Sequence, residues 1–207
     1  MNYVLIFLLP LLSNVLCIEN DCIDGIDNVI HVDSYGEKLH VEVRNIVILV
    51  YDINMNPSCS EGKVNVVLPG YFHIISGEVI NNHGYDLFKS GIVKASVALN
   101  DRDLCLDGSS TYVFIPNKFC RFKITSFVPS DMCLLLQQKG NHTLEEVEEK
   151  LNFNSKLELP PSPSFLGVEL LSLLKGNYKI KITIFSEGEM IVQFTIPSNY
   201  TSIQMGL

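Results

Sequence analysis

The sequence predicts an all-β fold, a two-sheet β-sandwich or a barrel, on three observations. Short runs rich in Val, Ile, Phe and Tyr are bounded by Gly, Pro, Asn and Asp along most of the chain, which is how strands and their turns read. Nine such runs recur at the spacing of a sandwich. The 207 residues are 47% hydrophobic and only 18% charged, so the chain can bury a sizeable core, and no repeat or linker divides it. One domain over residues 18–207 is expected.

The chain begins with an apolar run, Met1 to Cys17, broken by Pro10 and too short for a comfortable bilayer span. It reads as a signal peptide cut after Cys17, with a cut after Ser13 as the alternative. No later window is apolar for long enough to span a bilayer.

The strand candidates then follow in order. Val29 to Val32 is the first. Lys38 to Arg44 alternates polar and apolar residues, giving one wet face and one core face, before the more uniformly apolar Ile46 to Tyr51. Val64 to Leu68, Tyr71 to Ile80, Gly91 to Leu99, Thr111 to Ile115 and Phe119 to Phe127 come next. Tyr178 to Phe185 carries Ile180, Ile182 and Ile184 in strict alternation, and Ser186-Glu187-Gly188-Glu189 joins it to Met190 to Ile196 as a hairpin. Thr143-Leu144-Glu145-Glu146 is a capping box, the threonine capping and Glu146 reaching back, which opens the only clear helix, Thr143 to Phe153.

Composition and motif spacing exclude several function classes. The net charge of −8, with scattered Lys and Arg, argues against a nucleic-acid partner. The five histidines lack metal-site spacing, and Asn20 to Gly25 fails as a calcium loop because Cys22 and His31 stand where oxygen ligands belong. No metal or cofactor is expected. There is no G-x-S-x-G elbow, and the glutamates at 145, 146, 148 and 149 read as a solvated helix face, so no catalytic residue is assigned.

Secretion makes Cys22, Cys59, Cys105, Cys120 and Cys133 disulfide candidates. At least one bond is expected among Cys105, Cys120 and Cys133, with Cys22 to Cys59 the best remaining pair, and the odd number leaves one thiol free or paired between chains. Asn141 and Asn199 lie in glycosylation sequons, whereas Asn56 is followed by Pro57.

A proline-led apolar stretch stands out after the helix. Pro160, Pro161 and Pro163 precede Phe165, Leu166, Val168, Leu170, Leu171 and Leu174, with Gly167 inside. That composition suits a mobile entrance flap better than a regular strand, and the two sheets of a sandwich can part to hold an apolar ligand. The flap is the expected lipid-binding element and a transient contact with membrane surfaces.

The order of these features resembles the ML lipid-recognition domain family, most of all its ganglioside activator proteins. The resemblance rests on Cys22 after an acidic residue, Leu68-Pro69-Gly70 leading into a strand, and Cys105 before Gly108-Ser109-Ser110 and Cys120. It rests further on Leu159-Pro160-Pro161 before the apolar flap, Gly176-Asn177-Tyr178 opening a strand, and Gly188 in the last hairpin. It implies an immunoglobulin-like sandwich with an apolar lipid cavity between the sheets. It also implies a secreted or lysosomal, non-enzymatic protein that sequesters the acyl chains of a lipid or glycolipid and presents it to a lysosomal hydrolase or another acceptor. The alternative is lipid recognition in innate immune or receptor signalling. The family's bond from the N-terminal cysteine to the last strand has no counterpart, because no cysteine follows Cys133.

Overall fold

The structure, a computed structural model, describes residues 22–36, 39–113, 115–161, 164–165, 168–169, 174–199 and 201–206. The expected signal peptide lies outside the described residues. In chain order the first strands are β1 (Val29–Val32), β2 (Val41–Asp52), β3 (Cys59–Ser60), β4 (Lys63–Val66) and β5 (Gly70–Asn81). A short helix, α1 (Leu87–Ser90), precedes β6 (Ile92–Leu99), β7 (Arg102–Leu106), β8 (Ser109–Ser110) and β9 (Arg121–Lys123). Then come α2 (Ser130–Leu136), β10 (Gly140–Thr143), α3 (Leu144–Leu151), β11 (Lys156–Leu159), β12 (Ser164–Phe165) and β13 (Val168–Glu169). The last three are β14 (Gly176–Ser186), β15 (Glu189–Ile196) and β16 (Ile203–Met205).

Two sheets pack face to face. One has the order β1-β2-β5-β10, with β11 also on β5. The other centres on β14, which pairs with β6 on one side and with β15 and β16 on the other. β7 and β9 both pair with β6, and β4 joins β16 in parallel. The alternation in β14 points Tyr178, Ile180, Ile182 and Ile184 into the sandwich, where they meet Val97 and Val93 from β6 and Phe194 and Val192 from β15. From the facing sheet come Ile30, Val32, Val41, Val43, Ile46, Ile48, Val50, Phe72 and Val79. After β1 the chain crosses between sheets: Ser34 bridges Phe194, and the Tyr35 amide donates to the Gln193 carbonyl at 3.0 Å.

The β14–β15 hairpin closes as its sequence predicts, with Ser186 opposite Glu189 and both Glu187 and Gly188 at positive φ. Gly77 sits beside the register shifts between β2 and β5 at φ +155°, and an added Cβ would come within 2.7 Å of Ile46 Cγ1. Only glycine fits that bulge.

Several expectations need correction. The described residues of Thr111 to Ile115 form no strand, because the polar groups there turn back on the preceding strand: the Thr111 amide donates to the Leu104 carbonyl at 3.1 Å. Only Arg121–Lys123 of the Phe119 to Phe127 run is strand, bracketed by 3-10 turns at Asn117–Phe119 and Ile124–Ser126. The helix over 144–151 is joined by α2, in which Pro129 starts the turn and Cys133 and Leu135 are buried. Thr143 caps α3 by accepting from the Glu146 amide at 3.3 Å, but Glu146 does not reach back. Its carboxylate accepts instead from Lys150 Nζ at 2.6 Å and lies 3.0 Å from His142 Nδ1, and the lysine bond foremost holds its pKa below the usual value.

Candidate functional site

The interior divides into two apolar clusters with different closures. The first gathers Ile30, Val32, Val50, Leu104, Tyr178 and Ile203, all buried. Packed against it are side chains that keep partial exposure although they lie between the sheets: Ile48, Phe72, Leu99, Ile180 and Met205 among them. The second cluster contains Val41, Val43, Ile191 and Val192, and is capped by Leu87 of α1, Ile124, and Cys133 of α2, each buried. Helices therefore cover the second cluster, and both clusters are bordered by apolar side chains that keep partial exposure, Ile182, Ile184 and Phe194 among those of the second.

The described segments on either side of the expected flap join the sheets beside the first cluster. The chain leaves the first sheet with β11, whose Leu159 packs on the first cluster, and enters the second sheet at Gly176 and Tyr178. Between them, β12 and β13 pair with each other, Phe165 opposite Val168 and Ser164 opposite Glu169. They form a two-stranded sheet of their own, paired with neither main sheet among the described residues. The flap thus contains a small hairpin rather than the strand-free segment its glycine and prolines predict. Leu166, Leu170 and Leu171 lie outside the described residues, and Phe165 and Val168 are placed by backbone alone.

Leu174 ends the flap half-buried. Its carbonyl accepts from Tyr178 Oη at 2.6 Å, and burial pushes the Tyr178 phenol pKa up. The Asn177 amide donates to Asn100 Oδ1 at 3.0 Å, pinning the start of β14 to the β6–β7 turn. Sequence reading missed Tyr178, Phe72, Ile48 and Leu99 as site residues. The parity of Ile180, Ile182 and Ile184 extends back to Tyr178 and could have found that one.

The cysteines pair as Cys22 with Cys59 and Cys105 with Cys120, at Cα separations of 5.7 and 5.5 Å. The first bond fixes the N-terminal turn, which is also held by Asn28, whose Nδ2 donates to the Val50 carbonyl at 3.0 Å. Among the described cysteines Cys133 is the free thiol; burial, with Asp131 nearby, pushes its pKa up. Two disulfides fit an oxidising compartment. Both sequon asparagines are exposed: Asn141 donates to Glu78 Oε2 at 2.8 Å, and Asn199 accepts from the Thr201 hydroxyl at 2.6 Å.

A cleft of about 260 Å³ lies against β6 and β14, lined by Val97, Ile180 and Ile196, which pack on the first cluster, and by Ser96, Lys179 and Lys181 among others. Lys179 is bound to Asp101 at 2.6 Å and Lys181 to Asp107 at 3.1 Å. No helix of the described residues is long and apolar enough to cross a membrane. Comparison with protein-family models finds no match, and neither does comparison with curated proteins.

Proposed function

We propose that this chain is a secreted or lysosomal lipid-binding and transfer protein. It sequesters the acyl chains of a lipid or glycolipid between its parted sheets and presents the lipid to an enzyme or acceptor. One observation carries the reading. Apolar walls that remain partly exposed between the sheets lie at the end where the chain crosses from one sheet to the other through a hairpin paired with neither. Apolar surface left uncovered inside a fold is costly in water, and a lipid tail would cover it. Burial of a tail gives about 0.8 kcal/mol per methylene before ordering costs, so the pocket needs no ionic contact to hold it.

In this reading the fold is an immunoglobulin-like sandwich with a lipid cavity, the flap over 165–174 gates it and touches membrane, and Met1 to Cys17 is removed on secretion. Asn141 and Asn199 carry glycans. The protein performs no covalent chemistry and uses no cofactor. The deciding experiment is mass spectrometry of lipid copurified with the secreted protein, together with transfer of a fluorescent lipid between vesicles. Lipid is expected in the protein. Replacing Phe165 and Leu166 with Ser should slow transfer while barely changing the melting temperature. Lipid-free protein that transfers nothing would refute the reading, and unchanged transfer with lowered stability would make the flap ordinary core.

A further inference from the structure

We propose that the loop closed by the Cys105–Cys120 disulfide is a membrane-docking element that inserts its apolar tip into anionic bilayers. The proposal names the membrane partner of the lipid-handling reading and rests on that reading for its purpose. Val113 is 96% exposed, Phe119 62% and Tyr112 51%, and Leu106 at the foot of the loop is also exposed. Single exposed apolar residues are ordinary, but here four stand within one closed loop.

The loop is built to hold that surface out. The disulfide joins its ends, the Ser110 amide donates to Asn117 Oδ1 at 2.7 Å, and the Ser110 hydroxyl donates to the Tyr112 carbonyl at 2.8 Å. The Ile115 amide donates to the Tyr112 carbonyl at 3.0 Å. Ile115 packs on the same cluster as Leu159 and Tyr178, which sets the loop at the end of the sandwich where the flap joins the sheets.

Charge selects the partner. Residues 108–130 contain Lys118, Arg121 and Lys123 and no Asp or Glu, in a chain of net charge −8. Lys118 Nζ lies 5.4 Å from the Phe119 ring centroid, and Arg121 and Lys123 are exposed on one face of β9 while Phe122 packs inward. None of the three cations joins an ion pair among the described residues. Of the carboxylates that flank this stretch, Asp107 is bound by Lys181, and Asp103 on β7 and Asp131 at the start of α2 are exposed. Apolar side chains beside unpaired cations match a bilayer that offers hydrocarbon beneath anionic headgroups. A second copy of so acidic a chain would bring net like charge.

The test is co-sedimentation of the full chain with phosphatidylcholine vesicles, with and without phosphatidylserine. Binding is expected to the phosphatidylserine vesicles and to weaken with salt. Val113→Ser with Phe119→Ser should lower it at least about tenfold, since both side chains lose their transfer into hydrocarbon. Lys118→Gln with Arg121→Gln should abolish the preference for phosphatidylserine. These side chains are exposed, so melting and uptake of a short-chain fluorescent lipid from solution should stay as in the wild type. Absent vesicle binding, or binding undiminished in the Val113→Ser, Phe119→Ser variant, overturns the proposal. So does concentration-dependent dimerisation that this variant abolishes. Vesicle binding without any lipid uptake would overturn the lipid-handling reading and leave the docking loop standing.

Discussion

A pair of isoleucines in one cluster separates a parted sandwich from a closed one. Ile203 of β16 is 2% exposed, whereas Ile180 of β14 packs on the same cluster yet stays partly exposed. Ile→Ala removes three carbons, about 2.4 kcal/mol of transfer energy at about 0.8 per group. At Ile203 the hole is enclosed, so a cavity term adds and the total should fall at roughly 3 to 4 kcal/mol. At Ile180 only part of the side chain leaves water on folding, and the space left opens onto the proposed lipid site instead of a sealed void. The expected cost there is about 1 kcal/mol. Urea unfolding of delipidated protein at constant m measures both. Ile180→Phe adds a second reading: it should reduce lipid uptake with little loss of stability, because the added ring enters open space. Equal losses of about 3 kcal/mol or more from the two alanine variants would show that the sheets are closed at Ile180 and would refute the reasoning.

Four further outcomes can be measured. Replacing Cys105 and Cys120 with Ala opens a loop whose ends are 15 residues apart and should cost about 3 kcal/mol in the same urea titration; a loss below about 1 kcal/mol would contradict a bond that restrains the unfolded chain. Cys133, buried and with its thiol pKa raised, should resist a thiol reagent at neutral pH until the protein unfolds, and rapid labelling of the native state would count against its placement. Tyr178→Phe removes the 2.6 Å bond to the Leu174 carbonyl and should cost about 1 kcal/mol while speeding lipid transfer, since the flap loses its tether. Glu146 has a depressed folded-state pKa, so its contribution is present above its ordinary value of 4.5 and is lost as pH falls through the folded value. Glu146→Gln should therefore flatten the acid limb of the stability profile below pH 4.5 and leave its shape at neutral pH unchanged.

What could be read from the sequence was what repeats locally. Alternation over Ile180, Ile182 and Ile184 fixed both a strand and its inward face, and Glu187-Gly188 fixed the turn that follows. The missed elements share a different physics. β7, β10, β11 and β16 are short, polar or charged, and are strands because a neighbour supplies the ladder: Arg102–Leu106 pairs with β6, and Gly140–Thr143 and Lys156–Leu159 both pair with β5. Thr111 to Ile115 erred the other way. Its β-branched and aromatic residues favour a strand, but the disulfide and the Ser110 and Asn117 side chains hold it as a loop. Of the cysteine pairs, Cys22 with Cys59 was legible, whereas the partner among Cys105, Cys120 and Cys133 was left open, and the burial of Cys133 in α2 is what leaves Cys105 to Cys120. The walls of the site were not, since periodicity says which face is inward and nothing about how far apart two inward faces stand.

The unequal ends of the sandwich bear on how one small fold can be both stable and open. Leu87, Ile124, Cys133 and Val128 seal the end where Val41, Val43, Ile191 and Val192 pack, and no residue of that plug belongs to the flap or the cystine-closed loop. Stability in a protein is distributed, and segments that must open are drawn from its weakly held parts. If the first cluster holds lipid as proposed, the helix-covered end can keep the two sheets in register while the other end exchanges its contents. Truncations in the plug, such as Leu87→Ala, should then lower the melting temperature and leave transfer by the surviving folded protein unchanged. Changes at the flap and the docking loop should do the reverse. Phe194, which touches both clusters, is where the two ends meet, so its truncation should disturb stability and transfer together.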